Sequence, residues 1–176
     1  MTESPGDTIE ATLHSSDNEG VVRIKVRYPT GIDDLWSAIT TPARLARWYG
    51  NIDGDLRVGG EFTAFVPASG WDGRGRIEAC DPPRHLRVTM WEEESSQGAV
   101  AAELVEDGDH TVLLFEKRGI PLNLPWAFGA GWHAHLEDLA AHLDGEDRTD
   151  LPTRWNERFD ELEPSYREMS VLPLER

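Results

Sequence analysis

Residues 111–143 read TVLLFEKRGIPLNLPWAFGAGWHAHLEDLAAHL, and within them the rhythm of the chain changes. Over Thr111 to Lys117 the side chains alternate, so Thr111, Leu113, Phe115 and Lys117 share one face of a strand. Gly119 to Pro125 holds two prolines and reads as a loop. From Trp126 to Leu143 the period becomes helical. Phe128, Trp132, Leu136, Leu139 and Leu143 make one apolar stripe, and Glu137, Asp138 and Ala141 fall on the opposite side. Gly145 ends the helix. Such a stripe needs an apolar surface to cover.

The residues upstream supply a sheet. Glu61 to Val66, Arg74 to Ala79, His85 to Trp91 and Ala99 to Val105 are strand-like, with Gly, Pro, Ser and Asp clusters between them. Connections this short predict an antiparallel meander rather than βαβ units. Val21 to Tyr28 also alternates. Val22, Ile24, Val26 and Tyr28 share one face, and Arg23, Lys25 and Arg27 the other. Thr8 to His14 reads as a short edge strand, hairpinned through Asp17-Asn18-Glu19-Gly20. After Pro29-Thr30-Gly31 come two short helices. The first starts at Asp33 or Asp34 and sets Trp36 and Ile39 on one side; the second has Thr41 at its N-cap and Pro42 at N1, and ends at Gly50.

The order is strand, two short helices, a run of strands, one long helix. It predicts an α+β layer structure, a curved antiparallel sheet wrapped around the long C-terminal helix. Residues 1–19 form a polar segment with five acidic residues and no Lys or Arg, the first few expected to be disordered. Residues 20–145 form the domain, and residues 146–176 a charged tail. In that tail Trp155, Phe159 and Leu162 have helical spacing, and Pro164 limits or kinks the helix. The tail is expected to pack back on the domain or against a second subunit, and a homodimer is compatible with exposed edge strands.

Composition narrows the classes of partner. The 176 residues suit one domain, and 33 acidic residues against 17 basic ones give a formal charge of −16. Without a Lys/Arg cluster, neither nucleic acid nor an anionic membrane is an expected partner. Cys80 is the only cysteine, which excludes an intrachain disulfide and fits a reducing compartment. No basic start precedes an apolar run, and no stretch approaches the roughly 18 apolar residues of a membrane helix. The expected location is the cytoplasm. Seven Trp residues are the unusual feature.

Several local patterns resemble the SRPBCC (START-like, helix-grip) superfamily, and within it the branch named for the activator of the heat-shock-protein-ninety ATPase. They are Leu35-Trp36-Ser37-Ala38-Ile39-Thr40-Thr41-Pro42, Leu45-Ala46-Arg47-Trp48, Asp55-Leu56-Arg57-Val58-Gly59-Gly60-Glu61-Phe62, Asp81-Pro82-Pro83-Arg84-His85-Leu86 and Gly131-Trp132-His133-Ala134-His135-Leu136. The similarity spans about residues 21–143, and it is the joint order of the motifs that makes it specific. The resemblance implies a ligand cavity between sheet and helix, not a fixed chemistry. Relatives bind lipids, sterols, polyketides or plant hormones, and some are cyclases or hydrolases. The eukaryotic co-chaperone of the branch has a separate N-terminal domain, for which residues 1–19 are too short. Where many relatives read His-Ser-Gly after the last strand, this chain reads Lys117-Arg118-Gly119.

The leading expectation is a carrier or sensor that binds an apolar or aromatic small molecule. A cyclase- or hydrolase-type enzyme using the same cavity, and a co-chaperone-like interaction module, are the alternatives. The ligand-binding candidates are Trp36, Trp48, Phe62, Trp71, Phe115, Lys117, Trp126, Phe128, Trp132 and His133. Trp126, Phe128 and Trp132 lie at the start of the long helix, where this fold leaves its cavity open. An enzyme would need an ionisable group inside, for which Lys117, His133 and Glu103 are the candidates, and Lys117 could pair with Glu103. Cys80 could meet His85 across a turn.

No metal or cofactor is expected. His133 and His135 point about 200° apart on a helix and cannot chelate one ion, and a closed site needs more than Asp138 and His142. Gly73-Arg74-Gly75-Arg76-Ile77-Glu78 lacks the third glycine of a dinucleotide fingerprint. Arg74 and Arg76 belong on a solvated sheet face, and Glu92-Glu93-Glu94 at a solvated hairpin tip.

Overall fold

A computed structural model describes residues 9–93, 97–146 and 150–174. Residues 1–8 of the acidic segment, and Glu94 of the expected hairpin tip, lie outside the described residues. The elements are β1 (Ile9–Ser16), β2 (Glu19–Tyr28), α1 (Ile32–Thr40), α2 (Pro42–Trp48), β3 (Asn51–Gly54), β4 (Glu61–Val66), β5 (Trp71–Asp81), β6 (His85–Trp91), β7 (Gly98–Asp107), β8 (His110–Ile120), α3 (Pro125–Leu143), α4 (Leu151–Glu168) and β9 (Val171–Pro173).

Among the described residues the strands form a single nine-stranded sheet in the order β3-β4-β5-β6-β7-β8-β2-β1-β9. The meander from β3 to β8 is antiparallel throughout, and the β1–β2 hairpin joins it by pairing β2 with β8. The sheet is mixed rather than purely antiparallel, because β9 lies parallel to β1 through Leu13–Val171 and its neighbours. Sequence reasoning missed β9 and β3 because both are short, and their residues are mostly exposed. Bulges between Gly20 and Val22 and between Ile77 and Ala79 help to bend the sheet.

Alternation decides which side chains face inward. Val22, Ile24, Val26 and Tyr28 are buried on the concave side, while Arg23 pairs with Glu116 at 2.9 Å and Arg27 with Asp107 at 2.7 Å on the convex side. Arg76 belongs to that convex set, bound to Glu78 at 2.9 Å, and Arg74 is exposed. Helix α3 lies in the concavity with Leu136 and Leu139 fully buried, and the Tyr28 hydroxyl donates to the Leu136 carbonyl at 2.9 Å. The short helices α1 and α2 are locked by Trp48, whose Nε1 donates to the Ala38 carbonyl at 2.9 Å. The Thr41 hydroxyl does not cap α2; it meets Ser37 Oγ at 3.2 Å. Both Tyr49 N and Gly50 N close that helix onto the Leu45 carbonyl.

The tail is helical over Leu151–Glu168 and packs along α3. The face of α3 that reads as solvent-facing is therefore covered. Arg158 holds Glu137 through Nε at 2.6 Å and Nη2 at 3.1 Å, and Arg154 approaches Asp138 at 3.6 Å. Pro164 does not end α4. It is exposed, as is Asp160, whose carbonyl it deprives of a helical donor, so water can serve there, while Leu162 and Tyr166 stay buried on the other side. No helix among the described residues is long and apolar enough to cross a membrane.

Candidate functional site

Two hollows lie between the concave face of the sheet and the helices, and they share walls. The inner one has a volume of about 170 Å³ and is almost wholly apolar; Trp48, Phe62, Ile77, Met90 and Phe115 line it. The outer one is larger, about 600 Å³, and is lined by Trp71, Trp91, Lys117, Phe128, Trp155 and Phe159. Tyr49, Met90, Val100 and Trp132 border both.

Periodicity explains the construction. Residues 86, 88 and 90 of β6 and 113, 115 and 117 of β8 all point inward because strand side chains alternate. Phe128, Trp132 and His135 follow one another at i+4 and i+3, so α3 presents them on one side. The Trp132 ring stacks on Tyr49 at 5.3 Å and 18°, and tilts against Phe115 at 4.5 Å. Trp132 thus stands at the boundary between the two hollows. His135 continues the aromatic wall, stacked on Trp155 at 5.5 Å and set edge-on to Tyr49 at 5.2 Å. Trp155 is fixed by its Nε1, which donates to the Gly131 carbonyl at 3.0 Å, and Phe159 stacks on it at 5.3 Å.

Two ionisable groups reach the outer hollow from inside the fold. Burial lowers the Lys117 amine from 10.5 to about 8, against a smaller opposing pull from the Glu19 charge. Its Nζ lies 5.9 Å from the centre of the Phe128 ring. Burial also pushes the His135 imidazole down to about 3, so it is neutral at physiological pH. Glu92, at the exposed rim, is the other charged residue lining the hollow.

Trp48, Phe62 and Phe115 line the inner hollow, Trp71, Lys117 and Phe128 the outer one, and Trp132 both. Trp36, Trp126 and His133 line neither. Trp36 packs on the core from α1. Trp126 is six residues from Trp132, about 120° round the helix, and faces α4, with the Arg167 guanidinium 3.6 Å from its ring centre. His133, one residue from Trp132, also turns to α4, where its Nδ1 meets the Tyr166 hydroxyl at 2.8 Å.

Glu103 does not meet Lys117. It sits opposite Leu114 and His85 in the ladders, with its carboxylate 4.0 Å from His85 on the convex side. Cys80 lines the inner hollow, whereas His85 is directed to Glu103, so the two do not approach one another. His142 is engaged by Arg44, whose Nε donates to its Nε2 at 3.0 Å. Sequence reasoning missed Tyr49, Val100 and His135 as wall residues. The spacing of His135 from Trp132 was a usable signal, but the walls contributed by Trp155 and Phe159 depend on where the tail docks.

A family model described as "Activator of Hsp90 ATPase homolog 1-like protein" matches residues 29–144. No curated protein matches the chain significantly. The crystal structure of CalU16 from Micromonospora echinospora is 26% identical, with a TM-score of 0.70, covering 91% of this chain and 98% of that one. The solution structure of a Bordetella parapertussis protein, encoded by gene BPP1335, is 22% identical with a TM-score of 0.69, covering 86% of each chain. PFC0360w, described as an HSP90 activator from Plasmodium falciparum, is 24% identical over 57% of this chain and 74% of that one, with a TM-score of 0.50. The latter two likenesses concern the fold alone.

Proposed function

Because the chain belongs to the family of activator of Hsp90 ATPase homolog 1-like proteins, whose fold leaves space between sheet and helix, we propose that it binds an apolar or aromatic small molecule there as a carrier or sensor. One observation carries the reading: the two hollows adjoin across Tyr49 and Trp132, the inner one almost wholly apolar and the outer one walled mainly by apolar and aromatic side chains with a few polar groups. A core of this size is normally close-packed, and voids larger than a water molecule are few. Space of about 600 Å³ lies within the usual range for small-molecule pockets, roughly 300–1,000 Å³. An aromatic ligand inserted there would lose its water-exposed surface and stack on fixed rings.

Titration with N-phenyl-1-naphthylamine, a neutral apolar fluorophore, tests this. The expected result is saturable binding of one probe per chain, and a discrete extra mass in a native mass spectrum of freshly purified protein, lost on denaturation. Absence of both saturable probe binding and a co-purified mass would sink the reading. The same spectrum separates monomer from dimer.

A further inference from the structure

Resting on that cavity reading, we propose that the outer hollow selects ligands that carry an anionic oxygen, which Lys117 Nζ binds while an aromatic body lies against Trp132.

Lys117 is the sole Lys or Arg among the described residues lining that hollow. A lysine near a strand end ordinarily carries its ammonium out to water. Here it is half-buried and turned along the hollow. Its Nζ lies over Gly98, where a Cβ would come within 2.6 Å, and beside the Phe128 ring. Gly98 thus leaves the room that the ammonium occupies.

Among the described residues no carboxylate lies within salt-bridge distance of it. In the ladders Lys117 sits opposite Val22 on one side and Val100 on the other. The adjacent Glu116 faces the convex side, held by Arg118 at 2.6 Å and Arg23 at 2.9 Å. Glu19 acts on Lys117 at longer range and is 3.5 Å from Arg118. Among the described residues Lys117 has no salt bridge: Glu116 and Glu19 are matched to arginines, Glu92 stands at the rim, and this cation faces an aromatic-walled space. A buried ammonium without a counter-charge is costly, and an anionic ligand group would offset that cost with a charge-assisted hydrogen bond. The overall charge of −16 offers anions no general attraction, so a preference for them must be local.

The titratable groups facing this space are few. Glu92 stands at the rim, and the buried His135 is neutral above acid pH. Burial keeps the Tyr49 phenol protonated well past its usual range. Between pH 7 and about 9.5 the Lys117 amine is therefore the group in this hollow that loses its charge.

The test compares N-phenyl-1-naphthylamine with its sulfonated analogue, 8-anilinonaphthalene-1-sulfonate, whose charge is fixed over this range. Titrations use the full chain, Lys117→Met and Lys117→Arg. Lys117→Met is expected to weaken the sulfonate by about tenfold or more and to leave the neutral probe within about threefold. Lys117→Arg retains most of the sulfonate affinity. Raising the pH from 7 to 9.5 weakens the sulfonate in the wild-type chain but not in Lys117→Met, which needs no comparison between separately folded variants at one pH. If Lys117→Met shifts both probes equally, or the wild-type pH dependence is absent, the inference is overturned while the cavity reading stands. If neither probe binds the wild-type chain, both fall.

Discussion

Lys117 can be examined through stability as well as binding. Its folded amine is lowered to about 8 from 10.5 by burial, so the charged form is penalised in the fold. Below the folded value both states are protonated and the penalty is present in full. Between about 8 and 10.5 the unfolded chain binds more protons, so this group's contribution to stability rises with pH. Lys117→Met is therefore expected to be more resistant to urea than the wild-type chain at pH 7, with the difference shrinking as the pH approaches 10.5. A variant that is less stable at pH 7, or a gap that widens with pH, contradicts this account. The face that Lys117 shares with Thr111, Leu113 and Phe115 was legible in the alternation of residues 111–117, but whether its amine lies along the hollow or reaches solvent was not. That it has no salt bridge among the described residues was not legible either, because the positions of Glu103, Glu19 and Glu116 depend on ladder register and on which arginines reach them.

At the scale of elements, α4 is the part of the molecule that sequence reading placed least well. The spacing of Trp155, Phe159 and Leu162 indicated an amphipathic helix, and the structure contains it. Its docking face could not be read, since the surface of α3 that receives it carries Glu137 and Asp138 and looks solvent-facing. Burial by itself would raise the Glu137 carboxyl, but hydrogen bonds and charges from His133 and Arg158 outweigh it and hold the group below its usual range. The contact also depends on Gly129, where a Cβ would come within 2.8 Å of the Tyr166 ring and 3.1 Å of Leu13. Gly129→Leu is expected to dislodge α4 while the meander persists. Limited trypsin digestion would show faster cleavage at Arg154, Arg158 and Arg167, with the strand signal in circular dichroism retained. Unchanged cleavage would mean that α4 tolerates the added bulk and is held mainly by its ion pairs.

For the whole molecule, a ligand bound only by the folded chain must raise its stability. At a free concentration of 100 times Kd the gain is about 2.7 kcal/mol. N-Phenyl-1-naphthylamine at saturation is therefore expected to raise the Tm of the wild-type chain and to raise that of Trp132→Ala much less, since Trp132 borders both hollows. Equal shifts in the two chains would place the probe elsewhere. The sequence alone determined the meander, the gripped helix and the family resemblance. These follow from periodicity and turn chemistry, which are local, and from motifs that keep their order along the chain. Only the tertiary structure decided that the sheet is mixed, that α4 roofs α3, that Trp36, Trp126 and His133 stand away from the hollows, and that Trp155, Phe159 and His135 complete the outer wall. Those outcomes depend on contacts between residues far apart in the chain. A helical repeat says which residues share a face, but not which neighbouring element that face will meet.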